Sequence, residues 1–310
     1  MADPIPPKDP IRLSIGRAGS GIEREVRSEP PSLRYDTRSA GPDGSARKGD
    51  PLSVSPVELA LLVGVAFCAG TIDAIAGGGG LLTVPALLAA GLPPHAALGT
   101  NKGQSMFGSL AAIVRYRHAG LVDGRTARVT FPLGFAGAFA GAALAMAVAP
   151  TVLRPMILAL LVVAGAFVVL VRPAAPASGR AVGGTLAGIA VASLLIGTYD
   201  GFFGPGTGTF LIVAFVAVAG APLARATADA KVVNFASNLA AAILFASQGV
   251  IRWEISLPMA GANLAGGFLG AHLAVRRGDR LIRGAVLVVV LALVVKIVRD
   301  MALEGAFRAR

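Results

Sequence analysis

The chain has 310 residues, of which 55% are hydrophobic and only 15% are charged, with a mean hydropathy of +0.71 and a formal net charge of +11. A soluble protein of this length needs far more polar surface, so the composition excludes an ordinary globular fold. The basic excess fits loops that face the cytoplasm in membrane proteins, and it gives no support to nucleic-acid binding.

The first 54 residues differ from the rest of the chain. They are rich in Pro, Gly, Ser and charge, and they contain no apolar run long enough to form a core or the apolar part of a cleaved signal peptide. We therefore expect a disordered N-terminal extension over 1–54, and we expect the first transmembrane helix to direct insertion.

Apolar segments then follow one another with short breaks, as in proteins that cross a bilayer many times. The pattern predicts an all-α polytopic bundle of transmembrane helices with ten segments, at about 56–76, 81–91, 95–114, 129–149, 153–171, 182–203, 208–220, 225–247, 256–275 and 281–299. The second and seventh segments are too short to cross about 30 Å of hydrocarbon. Because each follows a glycine-rich break, both are predicted to be half-helices or re-entrant pieces.

An internal repeat divides the membrane part into two homologous halves. Asp73 corresponds to Asp200 at an offset of 127, and after a two-residue insertion Lys102 corresponds to Lys231 at an offset of 129. A constant offset over so long a stretch indicates a duplication. We predict a first transmembrane repeat over 55–172, a linker over 173–180, a second repeat over 181–302 and a C-terminal tail over 303–310.

The relative orientation of the halves is read from the basic loops. The arginine-rich loops at 115–128 and 276–283 follow the third segment of one half and the fourth segment of the other. Both loops face the cytoplasm only if the halves are inverted. The basic residues at the two ends of the membrane part then lie on the opposite side, so parallel halves remain an alternative.

The third segment of each half carries a polar stripe. A lysine is followed by small polar residues at i+3 and i+7, which share one helical face: Lys102, Ser105 and Ser109 in the first half, and Lys231, Asn234 and Asn238 in the second. Asn101 widens the first stripe. Such a face on an apolar helix is expected to line a protein interior or a watery path. A lysine that only snorkels to the membrane surface is the alternative.

Acidic residues stand beside the breaks and the stripe. Asp73 and Asp200 close the first segment of each half, where they can cap freed backbone amides, pair with the lysine of their own or the opposite half, or carry protons. Asp229 lies two residues before Lys231, at the position that Thr100 fills in the first half. It is a candidate for a role that only one half has.

The glycine breaks expose backbone N–H groups at the start of the short helices, where anions bind readily. The exposed positions are Gly78 and Gly79 in the first break, and Gly206 and Thr207 in the second. Close helix packing through glycine is the structural alternative. No set of Cys, His, Ser or acidic residues has the spacing of a metal site or of a catalytic group, so we expect no enzyme activity and no cofactor.

Two motifs occur in each half. In the first half, GTIDAIAGGGGLLTVP over 70–85 is followed by GTNK over 99–102; in the second, GTYDGFFGPGTG over 197–208 is followed by ADAKVVN over 228–234. These runs resemble the sulfite exporter TauE/SafE family of membrane permeases, and the resemblance covers about residues 55–302. It implies a multi-pass permease of the cell inner membrane that moves sulfite, a sulfonate or a related sulfur-containing organic anion.

The predicted mechanism is gradient-driven alternating access around a site between the halves. The anion is expected to bind Lys102 and Lys231 and to be oriented by Asn101, Ser105, Asn234 and Asn238, with Asp73, Asp200 and Asp229 in coupling or structural roles. The expected partners are a small anionic substrate and the lipid bilayer. A transporter of another solute or of a cation, and a non-transport assembly subunit, remain alternatives.

Overall fold

The computed structural model describes residues 54–170 and 186–277. Nearly all of the predicted N-terminal extension, the linker over 173–180, the tenth segment at 281–299 and the C-terminal tail lie outside the described residues. Within them the protein consists of nine helices: α1 (Pro56–Ala76), α2 (Gly80–Ala89), α3 (Pro94–His118), α4 (Gly124–Ala147), α5 (Pro150–Leu170), α6 (Leu186–Phe202), α7 (Thr207–Ala219), α8 (Leu223–Ser247) and α9 (Trp253–Arg277).

This architecture confirms the predicted all-α polytopic bundle. Four helices are long and apolar enough to cross a membrane, namely α1, α4, α5 over Pro150–Phe167, and α8. The two short segments are helices of 10 residues in α2 and 13 residues in α7. At 1.5 Å per residue they extend about 15 and 20 Å, which is less than the hydrocarbon thickness.

The helix starts follow local sequence rules. Ser55 and Glu58 form a capping box at the start of α1, in which the Ser55 Oγ accepts from the Glu58 N–H (3.2 Å) and the Glu58 carboxylate accepts from the Ser55 N–H (2.8 Å). Helices α3 and α8 each begin directly after a proline, Pro93 and Pro222, which sets the backbone without requiring an N–H partner.

Two breaks end α1 and α6. Gly77 (φ 71°) follows the last residue of α1, and Gly204 (φ 95°) follows α6 after one further residue. Residues other than glycine rarely adopt such positive φ values, so these glycines determine where each helix ends. The chain then enters the short helices α2 and α7 within a few residues.

The central pair of helices, α3 and α8, runs antiparallel. Lys102, early in α3, contacts Asn238, late in α8, whereas Ser109, further along α3, contacts Asn234, which comes earlier in α8. Because α3 and α8 are equivalent by the 129-residue offset, this antiparallel order is the one expected of inverted halves. More than half of the buried polar side chains of the described residues lie on these two helices.

The halves interlock through their outer helices. Helix α1 packs along α9, and its equivalent α6 packs along α4, so the first helix of each half contacts the fourth helix of the other. Glycine permits this close approach. A Cβ atom on Gly197 of α6 would lie only 2.7 Å from the carbonyl oxygen of Gly134 of α4.

Candidate functional site

A small cavity lies where the two helix breaks meet the stripes of α3 and α8. Its volume is about 20 Å³, which holds about one water molecule. The lining combines residues of both breaks with polar side chains of α3, α8 and α9: Asp73, Gly78, Gly79, Gly80, Asn101, Lys102, Ser105, Asp200, Gly204, Gly206, Gly208, Asn234, Asn238 and Asn263.

Lys102 of α3 is paired with Asp200 of α6. The Lys102 Nζ donates to the Asp200 Oδ1 at 2.6 Å and to the Asn238 Oδ1 at 3.1 Å. The other oxygen of Asp200 accepts hydrogen bonds from the Ser237 hydroxyl and, at 3.4 Å, from the Asn234 amide. Both charged side chains are almost fully buried, with exposed fractions of 2% and 1%. Every oxygen of this carboxylate therefore has a partner.

Lys231 of α8 is paired with Asp73 of α1. The Lys231 Nζ donates to the Asp73 Oδ2 at 2.8 Å. The Asp73 Oδ1 accepts from the backbone N–H groups of Gly78 (3.1 Å) and Gly79 (3.3 Å), in the break between α1 and α2. Lys231 is fully buried, but 21% of the Asp73 side chain is exposed. The amides that the sequence suggested for an anion thus hold the protein's own carboxylate.

Each ion pair joins the two halves. The lysine of one half meets the aspartate of the other, so the four side chains together carry no net charge. Moving an ion out of water costs several kcal/mol, and a buried pair offsets this cost only when its remaining hydrogen bonds are made. Side chains of the α8 stripe and Ser237 supply those bonds to the Lys102–Asp200 pair. The backbone amides of Gly78 and Gly79 supply them to the carboxylate of the Lys231–Asp73 pair.

A chain of polar side chains connects the stripes. The Asn238 amide donates to the Ser109 hydroxyl (3.2 Å), which donates to the Asn234 Oδ1 (3.1 Å). On the other side of Lys102, the Asn101 Oδ1 accepts from Thr83 of α2 (2.5 Å) and Gln104 (3.2 Å), and more weakly from Ser105 (3.4 Å). These contacts fix the cavity wall in position.

The structure places most predicted site residues together, with three exceptions. Lys231 lies behind Asp73 and is not part of the cavity lining. Thr207 donates its hydroxyl to the Gly204 carbonyl (2.7 Å) and so closes the second break. Asp229 is also absent from the cavity lining; its Oδ1 accepts the backbone N–H of Asp123 (2.9 Å), at the start of α4.

Asp229 has an equivalent contact in the other half. The Thr100 hydroxyl accepts the backbone N–H of Arg252 (3.1 Å), directly before α9. Asp123 itself caps α4, and hydrogen bonds from the Thr126 hydroxyl and the Arg125 N–H hold the pKa of Asp123 below its ordinary value. Asp229 and Thr100 therefore anchor equivalent loops, and a coupling role for Asp229 stays a prediction.

Sequence reasoning missed two polar residues of the site. Ser237 bonds Asp200, and Asn263 of α9 lines the cavity while its amide donates to the Ala66 carbonyl (3.0 Å). Asn263 stands alone in an apolar stretch of α9, which was the available signal for it, whereas Ser237 lies directly beside Asn238 of the polar stripe. Neither has a polar equivalent in the other half, where Gly108 and Gly134 stand at the offset of 129. A search based on repetition therefore passed over them.

Comparison with known proteins identifies the family. The model of the family described as "Sulfite exporter TauE/SafE" matches residues 62–297. The chain is 36% identical to the "Probable membrane transporter protein YfcA" of Escherichia coli K12, over 80% of this chain and 92% of that protein. It is 38% identical to a "Probable membrane transporter protein" of Haemophilus influenzae (78% and 95%) and 37% identical to "Probable membrane transporter protein ORF9" of a Sinorhizobium species (78% and 93%).

No solved structure matches the chain. The family match nevertheless covers both breaks, both stripes and both ion pairs of the cavity. With its apolar helices, this places the protein among multi-pass membrane transporters. The chain belongs to the sulfite exporter TauE/SafE family.

Proposed function

We propose that this transporter moves a small anion, namely sulfite, a sulfonate or a related sulfur-containing organic anion, across the cell inner membrane by gradient-driven alternating access. The observation that carries the proposal is the pair of buried lysines, Lys102 and Lys231, at the junction of the two halves. The description of the family as sulfite exporters supports the choice of substrate class.

The neutral donors of the cavity favour an anion over a cation. Asp73 and Asp200 are the acidic residues of its lining, and each carboxylate is already bound to a lysine. A cation would have to compete with both ammonium groups. An anion could instead be received by the ammonium groups together with the side-chain amides of Asn101 and Asn234, which are neutral donors.

The packing supports alternating access. A cavity of about 20 Å³ is too small for sulfite together with its hydration shell, so the halves have to separate on one side before the substrate binds. The ion pairs and the contacts between α3 and α8 cross the junction of the halves. These contacts are the ones expected to loosen in turn as the site opens to each side.

The proposal is tested by substituting both lysines with methionine, which preserves length and removes charge. Purified Lys102→Met/Lys231→Met protein in proteoliposomes is expected to lose uptake of labelled sulfite and of labelled methanesulfonate. The control is Arg252→Met, because Arg252 forms a partly exposed ion pair with Glu254 away from the cavity. Wild-type transport rates in the double variant would contradict the proposal.

Solvent access to the cavity distinguishes a transporter from an assembly subunit. In a background in which the exposed Cys68 is replaced by serine, Ser105→Cys is expected to react with a small hydrophilic thiol reagent because Ser105 lines the cavity. Ser193→Cys is the control, since Ser193 is fully buried and outside the cavity lining. Equal protection of both cysteines would favour a packing role for the stripe.

A further inference from the structure

The two aspartates of the site differ in how firmly they are held. Asp200 has an exposed fraction of 1% and is bound by Lys102, Ser237 and Asn234, which are all side chains of α3 and α8. Asp73 has an exposed fraction of 21%, faces the cavity, and is bound by one side chain and two backbone amides. Of the two carboxylates, Asp73 is therefore the one that can leave its position without disrupting buried side-chain contacts of α3 and α8.

The donors around Asp73 form a place for one anionic group. The Lys231 ammonium and the N–H groups of Gly78 and Gly79 converge on its two oxygens at 2.8, 3.1 and 3.3 Å. A cation with two backbone amides is a strong arrangement for a carboxylate, sulfite or sulfonate group. Among the described residues, Asp73 is the single hydrogen-bond partner of the Lys231 ammonium, so loss of this carboxylate leaves a buried charge to be neutralised.

We propose that the anionic group of the substrate binds in the place that the Asp73 carboxylate fills, and that Asp73 takes up one proton as it is displaced. This inference rests on the proposed function and specifies its binding and coupling step. The carboxylate and one proton become a neutral carboxylic acid, while the substrate anion replaces it opposite the Lys231 ammonium. One proton then accompanies each anion that binds.

Charge balance is the reason for the proton. With Asp73 ionised, an arriving anion would leave two negative groups opposite Lys231 in a largely buried site, and like charges at such distances favour protonation of one of them. Lys231 faces Asp73 from α8, and the Tyr116 hydroxyl of α3 lies close by, donating to the Ala74 carbonyl. Across the cavity stands the balanced Lys102–Asp200 pair.

The other neighbouring helices add no charged side chain to the cavity lining beside Asp73. Helices α2 and α7 contain no titratable residue in their sequences, and α9 contributes the uncharged Asn263 to the cavity. The charge of Lys231 is therefore balanced either by Asp73 or by a bound anion. This alternation would link the proton to the substrate.

The test measures proton uptake on anion binding. Methanesulfonate is the probe, because its charge does not change near neutral pH. Titration calorimetry of the purified protein in two buffers of different ionisation enthalpy gives the number of protons taken up per bound anion. For the wild type we expect a count approaching one. For Asp73→Asn we expect no proton uptake and a Kd about tenfold lower, since the competing carboxylate is gone.

The matched control is Asp200→Asn, the equivalent position in the other half, for which we expect no gain in affinity. Binding by the wild type without proton uptake would overturn the inference but leave the proposed function standing, and this measurement requires no variant. The same proton count in Asp73→Asn as in the wild type would also overturn it. Absence of methanesulfonate binding in both proteins would overturn the proposed function together with the inference.

Discussion

The two ion pairs use the same residue types at equivalent positions, yet their surroundings differ. Lys102–Asp200 is enclosed by side chains, whereas Lys231–Asp73 is held by backbone amides and reaches the cavity. Two substitutions between the halves account for this. Where Gly78 donates its N–H to Asp73, the second break has Pro205, which has no N–H.

The second substitution concerns the central helices. Where α8 supplies the Ser237 hydroxyl to Asp200, the equivalent position of α3 is Gly108, which leaves room for the side chain of Asn263. A duplication thus provides two similar pairs, and a few neighbouring residues make one of them a fixed support and the other exchangeable. Substitutions at the two breaks and at the two ion pairs should therefore change stability by different amounts.

The breaks themselves should respond unequally to alanine. A Cβ atom on Gly77 would overlap the backbone of Gly208 and Thr209, while one on Gly204 would lie 2.8 Å from a side-chain atom, the Lys102 Nζ. Both positions have positive φ, so each substitution adds strain of about 1 to 3 kcal/mol. We expect Gly77→Ala to lower the free energy of unfolding by more than about 4 kcal/mol, and Gly204→Ala to lower it by less. Unfolding in mixed detergent micelles measures both, and equal losses would contradict the comparison.

The lysines should differ in their effect on stability. Lys102→Met leaves Asp200 buried without a cation, and we expect a loss of about 3 to 5 kcal/mol in the free energy of unfolding. Lys231→Met leaves Asp73 partly exposed with its two amide partners, so the loss should be smaller, about 1 to 3 kcal/mol. Unfolding both variants under the same conditions shows which one loses more stability. A larger loss for Lys231→Met would contradict the view that Lys102–Asp200 is the fixed pair.

The Ser237 hydroxyl should account for part of the difference between the aspartates. Ser237→Ala removes a donor from the buried Asp200 and should lower the free energy of unfolding by about 1 to 3 kcal/mol. The control is Ser193→Ala, because the Ser193 hydroxyl is buried without a hydrogen-bond partner among the described residues and its removal should cost little. Similar losses for the two variants would show that Ser237 has no special role.

Substitutions at the loop anchors, Asp229 and Thr100, should have the smallest effects on the free energy of unfolding, and the two effects should be equal. Asp229→Asn weakens one hydrogen bond to a backbone N–H and Thr100→Ala removes the equivalent one, and we expect the free energy of unfolding to fall by about 0.5 to 1.5 kcal/mol in both variants. Transport by Asp229→Asn should remain near the wild-type rate. Loss of transport in this variant, at unchanged stability, would return Asp229 to a coupling role.

Much of the fold could be predicted because hydropathy and repetition are strong signals in a membrane protein. Helix α1 has the bounds predicted for the first segment, 56–76, and the glycine breaks fall where the apolar runs end. The stripe spacing also indicated that Lys102 and Lys231 lie on interior faces. The chain itself could not show which aspartate pairs with which lysine, because this choice depends on how the halves interlock.

The rest of the site escaped prediction for physical reasons. The backbone N–H of Gly79 has no evident partner in the sequence, but the Asp73 carboxylate, six residues earlier, reaches it because the helix ends between them. Asn263 is brought to the cavity from a distant helix, through space that Gly108 leaves open. Such contacts arise from tertiary packing and carry no local periodicity.

The interlocked packing also affects how the protein is made. Helix α1 has its main partner in α9, and Asp73 and Lys102 have theirs in α8 and α6, so the ribosome delivers the first half well before its counterparts. Until then Asp73 and Lys102 lack the partners that neutralise them in the folded protein, and unpaired charges are costly in a membrane. Assembly must wait for late translation, and a chain terminated after α5 should be a substrate for membrane quality-control proteases. Two separately expressed halves could rescue each other only when both are present in the same membrane.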